Sequence, residues 1–313
     1  MSKILLVDVD SKIPNLPLMK LATHHRMMGH DVELVRLRGG KSLLNLFSID
    51  FTPKEVYASC IYPQNRAKAL WVLQNYPKAI IGGSGYDLNS QLPEGIEHLC
   101  PHYRLYGTDY SMGFTSRGCP RKCPWCIVPQ KEGNIRDHAP LHEFLRHDKL
   151  LLLDNNFLAS PRCTENLKEL IARKIKVSFN QGLDIRLLDQ ENARLLAHTR
   201  YYDGKFKRRT LYFSFDLPEL TSNVIEGVRL LKRFGVKPWH LFFYMLTGYN
   251  TSFDQDMRRF EVLRALGVLP YVMRYNFRRD DRQLNKFARW VNAGGAGYRS
   301  CSWEDYRVPK RKA

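Results

Sequence analysis

Short apolar runs alternate with amphipathic stretches along most of this chain, and that alternation limits the fold more than any other feature. Near the N-terminus "KILLVDVD" (3–10), "DVELVRL" (31–37), "EVYASCIY" (55–62) and "KAIIGG" (78–83) read as strands. Pro14 and Pro17 introduce a helix through "LMKLATHHRMMG" that Gly29 closes, and "RAKALWVLQNY" supplies a second helix. Strand and helix in succession predict a small doubly wound, Rossmann-like parallel sheet over residues 1–91. His24 and His25 read as exposed helix residues, and residues 92–110 as an irregular linker.

From residue 111 the rhythm resumes with longer helices. Strand candidates are "GFTSRG" (113–118), "KLLLLDN" (149–155), "KVSFNQG" (176–182), "TLYFSFD" (210–216), "HLFFYML" (240–246) and "LPYVMRYN" (269–276). Between them lie "TENLKELIARK", "DQENARLLAHT", "SNVIEGVRLLKRFG" and "DQDMRRFEVLRALG", each with helical spacing of apolar residues. Six such units suit a partial (β/α)6 barrel of the TIM type over 111–295 better than a complete eight-unit barrel. Residues 296–313 then form a basic tail. In parallel α/β barrels the chemistry sits at the strand C-termini, where "DNN", "NQG", "FD" and "TGYN" fall.

Charge separates the two regions. Residues 1–110 carry 12 Lys/Arg against 10 Asp/Glu, and the remainder carries 37 against 21. A surplus so placed points to an anionic partner, with nucleic acid as the first candidate. "YYDGKFKRR" (201–209) is basic and aromatic, but precedes a strand and so belongs on the barrel face away from the active site. The C-terminal "RYNFRRDDR", "RWVNAGG" and "VPKRKA" also mix cations with rings, although Trp290, at helical spacing from Phe287, reads as core. No run approaches the roughly 18 apolar residues a membrane helix needs. The N-terminus runs into a strand with no cleavage site, so a cytoplasmic protein with reduced thiols is expected, and no membrane partner.

Three of the seven cysteines crowd into "TSRGCPRKCPWC" (115–126). Reduced thiols at positions 119, 123 and 126 suggest metal binding over disulfides. Zinc wants a fourth ligand, and only His138, His142 or remote Cys163 is on offer, with no second pair at finger or ribbon spacing. A [4Fe–4S] cluster on three thiolates leaves one iron open to a cofactor or substrate. Cys60 reads as a core thiol, and Cys100, Cys163 and Cys301 are too scattered to hold a second cluster.

The C-x-x-x-C-x-aromatic-C pattern of Cys119, Cys123, Trp125 and Cys126, set just after a strand, resembles that of the radical S-adenosylmethionine superfamily. The resemblance covers roughly 110–295. It implies a [4Fe–4S] cluster on the three cysteines and S-adenosylmethionine chelated at the open iron. It further implies reductive cleavage to a 5′-deoxyadenosyl radical that acts on a substrate, and a flavodoxin- or ferredoxin-type electron donor. The implied cofactor contacts are Trp125, then Asp154, Asn155 and Asn156 after the second strand, and Asn180, Gln181, Asp184 and Arg186 after the third. Asp216 after the fourth strand and Tyr244 on the fifth complete the set. Asp154 departs from the family's usual Gly-Gly-Glu form. Asp184 and Asp216 could equally cap the helices that follow, and Arg186 has the fork geometry to clamp a carboxylate.

The N-terminal sheet is similar to the cobalamin-binding domain that precedes many such barrels, but its motif is degenerate. Asp8 is kept, Asp10 stands at the histidine position and Ile13 at the glycine, "SCI" (59–61) approximates the second element, and Gly82–Gly83 match the third. Cobalamin is therefore disfavoured. Two competing readings stand beside the radical enzyme: a cobalamin-dependent radical methyltransferase, and a non-catalytic, metal-stabilised nucleic-acid-binding protein.

Overall fold

The computed structural model describes residues 2–37, 49–275 and 280–308. The chain divides into two compact units: residues 1–113, 123–133 and 139–148 in the first, and 114–122, 134–138 and 149–313 in the second. It is an α/β protein built on parallel sheets.

In the first unit β1 (Lys3–Asp8), β2 (Asp31–Arg36), β3 (Glu55–Ser59) and β4 (Ile80–Gly82) form one parallel sheet in the order β2-β1-β3-β4. The register pairs Lys3 with Asp31 and Ile4 with Glu55. Alternation along β1 explains why it lies at the centre. Ile4 and Leu6 pack with Leu18, Leu21 and Ala22 of helix α1 (Leu16–Met27), while Leu5 and Val7 pack with Ala69 and Val72 of α2 (Arg66–Asn75). A strand apolar on both faces needs a cover on each, which is the doubly wound arrangement. Asn15 caps α1 by accepting from the Leu18 amide, and Gly29, at φ 76°, ends the turn that follows it.

Two expectations are corrected here. Residues 92–105 carry the short helix Glu94–Glu97 and a turn at Tyr103–Leu105, and Leu92, Ile96 and Leu105 pack on the α1 side of the sheet. Helical periodicity is absent over so short a stretch, so the apolar anchors could not be told from linker. His25 is only 3% exposed, because its ring lies against Tyr57 of β3 at 5.2 Å.

The second unit opens with a short antiparallel pair, β6 (Ser116–Arg117) with β7 (Arg136–Asp137). The strand read at 113–118 is thus split, since β5 (Ser111–Gly113) ends before it. β8 (Lys149–Leu152) pairs in parallel with β9 (Lys176–Phe179), and β9 with the two-residue β10 (Arg200–Tyr201). β11 (Leu211–Ser214), β12 (Leu241–Thr247) and β13 (Leu269–Arg274) form a second parallel sheet. A bridge from Leu183 to Phe213 links the chain after β9 to β11. The helices Cys163–Ala172, Gln190–His198, Thr221–Arg233 and Phe253–Ala265 occupy the connections where amphipathic stretches were read.

Alternation along β12 sorts its two faces. Leu241, Phe243, Met245 and Thr247 are buried, whereas Phe242, Tyr244 and Leu246 are half-buried. Phe215, on the buried side, lies 5.6 Å beneath the Arg259 guanidinium of the helix Phe253–Ala265, so the helices cover that side. The C-terminal segment is also packed as far as Tyr306. Trp303 meets Phe253, Phe287 and Trp290, and Trp290 Nε1 donates to the Cys301 carbonyl. Trp290 is core, as its spacing predicts. The rings of this tail serve packing and leave little for stacking on a ligand. The end of "VPKRKA" (309–313) and most of "YNFRR" (276–279) lie outside the described residues.

Candidate active site

The C-terminal ends of β8 and β9 gather the polar residues of the second unit. Asp154, two residues past β8, is buried and accepts four hydrogen bonds. They come from the Thr115 amide (3.1 Å) and hydroxyl (2.6 Å), and from the Ser116 amide (2.6 Å) and hydroxyl (2.7 Å). Burial pushes its carboxyl up and the four donors oppose this. Both oxygens are engaged by the segment that leads into Cys119, so Asp154 fixes where that segment runs.

Asn156 lies deeper in the site. Its Nδ2 stands 3.5 Å from Cys119 Sγ and 3.4 Å from Asp184 Oδ2. Its Oδ1 is buried without a partner among the described residues. An orphaned buried amide oxygen is costly unless a donor fills the place beside it. The Cys119 sulfur also receives the Arg121 amide at 3.4 Å.

Asp184 joins the groups. It accepts from Arg121 Nε at 2.9 Å and from Arg186 at 2.6 Å and 2.9 Å, and it caps the turn Ile185–Leu187 through the Arg186 amide. Burial works against its charge, but the Arg186 and Arg121 guanidiniums prevail and hold the carboxyl below the usual carboxylate range. It therefore caps a turn and also joins two guanidiniums. Asp216, two residues past β11, is not a helix cap: its Oδ1 takes the Leu246 amide at 3.4 Å. Burial raises its carboxyl, opposed by that bond and by Arg259 and Arg186.

The other expected contacts are half-buried or exposed. Asn155 and Asn180 are half-buried, and Gln181 is exposed. Tyr244 lies on the half-buried face of β12, stacked on Tyr212 at 5.8 Å. In the first unit the Cys126 amide donates to the Cys123 carbonyl at 3.0 Å, and the Val128 amide points to Cys126 Sγ at 3.5 Å. Trp125 is half-buried and Cys126 exposed. Among the described residues no group of three or more His, Cys, Asp or Glu is gathered for a metal ion. None of the three cysteines forms a disulfide, and amide N–H groups meet the sulfurs of Cys119 and Cys126, as suits thiolate ligands.

Sequence reading missed four contributors. Thr115 and Ser116 fall inside the strand read at 113–118, and only the buried Asp154 opposite reveals their role. Asp256 and Arg259 sit in an amphipathic helix yet are fully buried. Arg259 donates to the carbonyls of Phe215 and Leu246 (2.6 Å), and Asp256 accepts from Arg259 at 2.6 Å and from the Gly248 amide at 3.0 Å.

The mouth of the N-terminal sheet is knitted shut. Asp10 accepts from the amides of Ile61 (2.7 Å) and Tyr62 (2.9 Å) and from Asn65 Nδ2 (3.0 Å). Asn15 Nδ2 bridges the Ser11 and Ser59 hydroxyls, both at 2.8 Å. A Cβ at Gly83 would stand 2.4 Å from the Cys60 carbonyl. Cys60 is buried and its thiol is pushed up to about 11, chiefly by burial and then by Asp10. These residues offer cobalamin no imidazole ligand, and the crevice between the β1 and β3 loops is bridged.

No family model matches the chain, and neither does any curated protein. Among solved structures it is similar to the apo form of the cobalamin-dependent S-adenosylmethionine radical enzyme OxsB, with 13% identity and a TM-score of 0.44 over 88% of this chain. It is also similar to Streptococcus suis SuiB bound to precursor peptide SuiA, with 13% identity and a TM-score of 0.41 over 88%. The chain spans about half of the first protein (49%) and 60% of the second.

Proposed function

We propose that this protein is a radical S-adenosylmethionine enzyme, with Cys119, Cys123 and Cys126 holding a [4Fe–4S] cluster. One observation carries the reading beyond the motif: the Cys119 thiol lies at the ends of parallel strands, linked through Asn156 to the Asp184–Arg121–Arg186 group. The chain order of β8, β9, β11, β12 and β13, all parallel, with the Leu183–Phe213 bridge between the sheets, supports a partial barrel with its chemistry at that end. When bound, the cluster and S-adenosylmethionine supply one-electron cleavage of the sulfonium, with the electron from a small donor protein.

The chain's own residues do the positioning. Asp154 fixes the approach of residues 115–119. The Asn156 Oδ1 accepts from the cofactor's ammonium, which removes its orphaned state. Asp184 holds Arg121 and Arg186 as cations near the thiol, where they offset the negative charge of a thiolate cluster and meet a carboxylate. Asp216 and Asn180 would accept from ribose hydroxyls. The cobalamin-dependent alternative is not supported by Asp10, and cobalamin takes no part in this scheme.

Anaerobic reconstitution tests the proposal. The full chain binds about four iron atoms and forms 5′-deoxyadenosine from S-adenosylmethionine with a chemical reductant. Replacing any of the three cysteines with Ala abolishes both. Asn156→Ala keeps the iron but weakens S-adenosylmethionine binding by about tenfold, the loss of one hydrogen bond to a charged group. Retention of zinc with no iron and no 5′-deoxyadenosine overturns the proposal in favour of a metal-stabilised binding protein.

A further inference from the structure

The basic loop between β10 and β11 lies where its sequence position does not lead one to expect it. Its flanks stay at the strand N-termini, where the Arg209 guanidinium stacks 3.8 Å over Tyr201. Its tip turns onto the half-buried face that carries Tyr212 and Tyr244. A Cβ at Gly204 would stand 3.3 Å from Asn180 Oδ1 and 3.9 Å from Leu151. Burial pushes the Tyr212 hydroxyl up to about 12, and a backbone hydrogen bond from Gly204 opposes this. The expectation that this loop faces away from the site is thus corrected.

The loop is built rigidly. The Asp203 carboxylate accepts from the amides of Lys205 (3.2 Å) and Lys207 (2.9 Å), the Asp203 amide donates to Arg208 O at 2.8 Å, and Phe206 sits at φ 57°. Lys205, Lys207 and Arg208 are exposed, and none meets a carboxylate among the described residues. Beside the tip runs a row of rings on the same face. Tyr212 stacks on Tyr244 at 5.8 Å, and Tyr244 meets Tyr271 edge-on at 5.9 Å. Phe242 touches all three at 5.2–5.7 Å. Tyr271 is 38% exposed and Met273 beyond it 47%.

From this juxtaposition we infer that the ring-bearing face of β11–β13 binds single-stranded nucleic acid, with bases on the Tyr244–Tyr271 row and phosphates on Lys205, Lys207 and Arg208. Rings beside unneutralised cations match a strand with unpaired bases. Three cations within four residues exceed what one mononucleotide phosphate requires, and the row is long enough for more than one base. A duplex presents no base faces to stack, and an acidic peptide or a lipid surface would leave the rings without a planar partner. The inference deepens the proposed enzyme by naming its substrate class, but the binding itself does not depend on turnover.

Fluorescence anisotropy with the iron-loaded full chain and a labelled single strand of about ten nucleotides tests it. Tyr271→Ala weakens binding by about 5- to 100-fold, the loss of one stacked base, and Tyr271→Trp restores it. Lys205, Lys207 and Arg208 changed together to Ala reduce the slope of log affinity against log salt by about 2. Melting curves that match the parent protein exclude misfolding at these exposed positions. An unchanged slope, equal affinity for a duplex, or displacement by polyglutamate or anionic vesicles as readily as by unlabelled strand overturns the inference. So does free AMP binding as tightly as the strand. Iron content and 5′-deoxyadenosine yield are read on the same preparations. A chain that cleaves the cofactor but binds no strand refutes this inference alone, and one that binds the strand but no iron refutes only the enzyme.

Discussion

His25 shows how much one side chain's environment can decide. Its two ring nitrogens are buried and have no hydrogen-bond partner among the described residues. Burial is the main force lowering its pKa. Glu55 opposes it, while His24, His30 and Lys54 reinforce it. The folded chain therefore holds this imidazole neutral. As pH falls below the ordinary histidine value of about 6.5, the unfolded chain takes up the proton first and stability declines, levelling off below the folded pKa. The melting temperature should fall between pH 7.5 and 5.5, and His25→Leu should flatten that part of the profile. Equal slopes in both proteins would assign the dependence elsewhere.

Among elements, the helix Phe253–Ala265 does more than cover a sheet. Arg259 ties the carbonyls at the ends of two adjacent strands, and Asp256 secures both the guanidinium and the Gly248 amide. Arg259→Ala strands a buried carboxylate and two carbonyls, so a loss of about 3–5 kcal/mol is expected in urea unfolding. Asp256→Asn, which keeps the shape, should cost less. This pair also marks the limit of what sequence can show. Strands of period two and helices of period 3.6 were legible because their pattern repeats over many residues. β10, with only Arg200 and Tyr201, and the β6–β7 pair have no such repeat, and they exist because a neighbouring strand offers its edge. The cysteines and the polar residues after β8 and β9 were legible from spacing and from their place at strand ends. The linkage of Asn156 to Asp184 and Arg121 was not, because those residues lie far apart in the chain and only the fold joins them.

At the scale of the molecule, one unit is nearly neutral and knitted shut at its sheet mouth, while the other carries most of the positive charge and the open, ring-lined face. The full chain is accordingly expected to retain no cobalamin after incubation and gel filtration. Asp10→His, which restores the missing imidazole, should still bind none and should melt below the parent protein. Tight retention by either protein would show that the crevice can open.

That last variant exposes how the bonds at the sheet mouth depend on one another. Asp10 serves the Ile61 and Tyr62 amides and Asn65 together. Exchanging it for a ligand strands several donors in one step, while the Asn15 bridge still bars the way. Opening this mouth would need coordinated changes in at least two loops, each harmful alone. The mouth of the sheet is thus held by two separate sets of bonds, so that no single substitution undoes both.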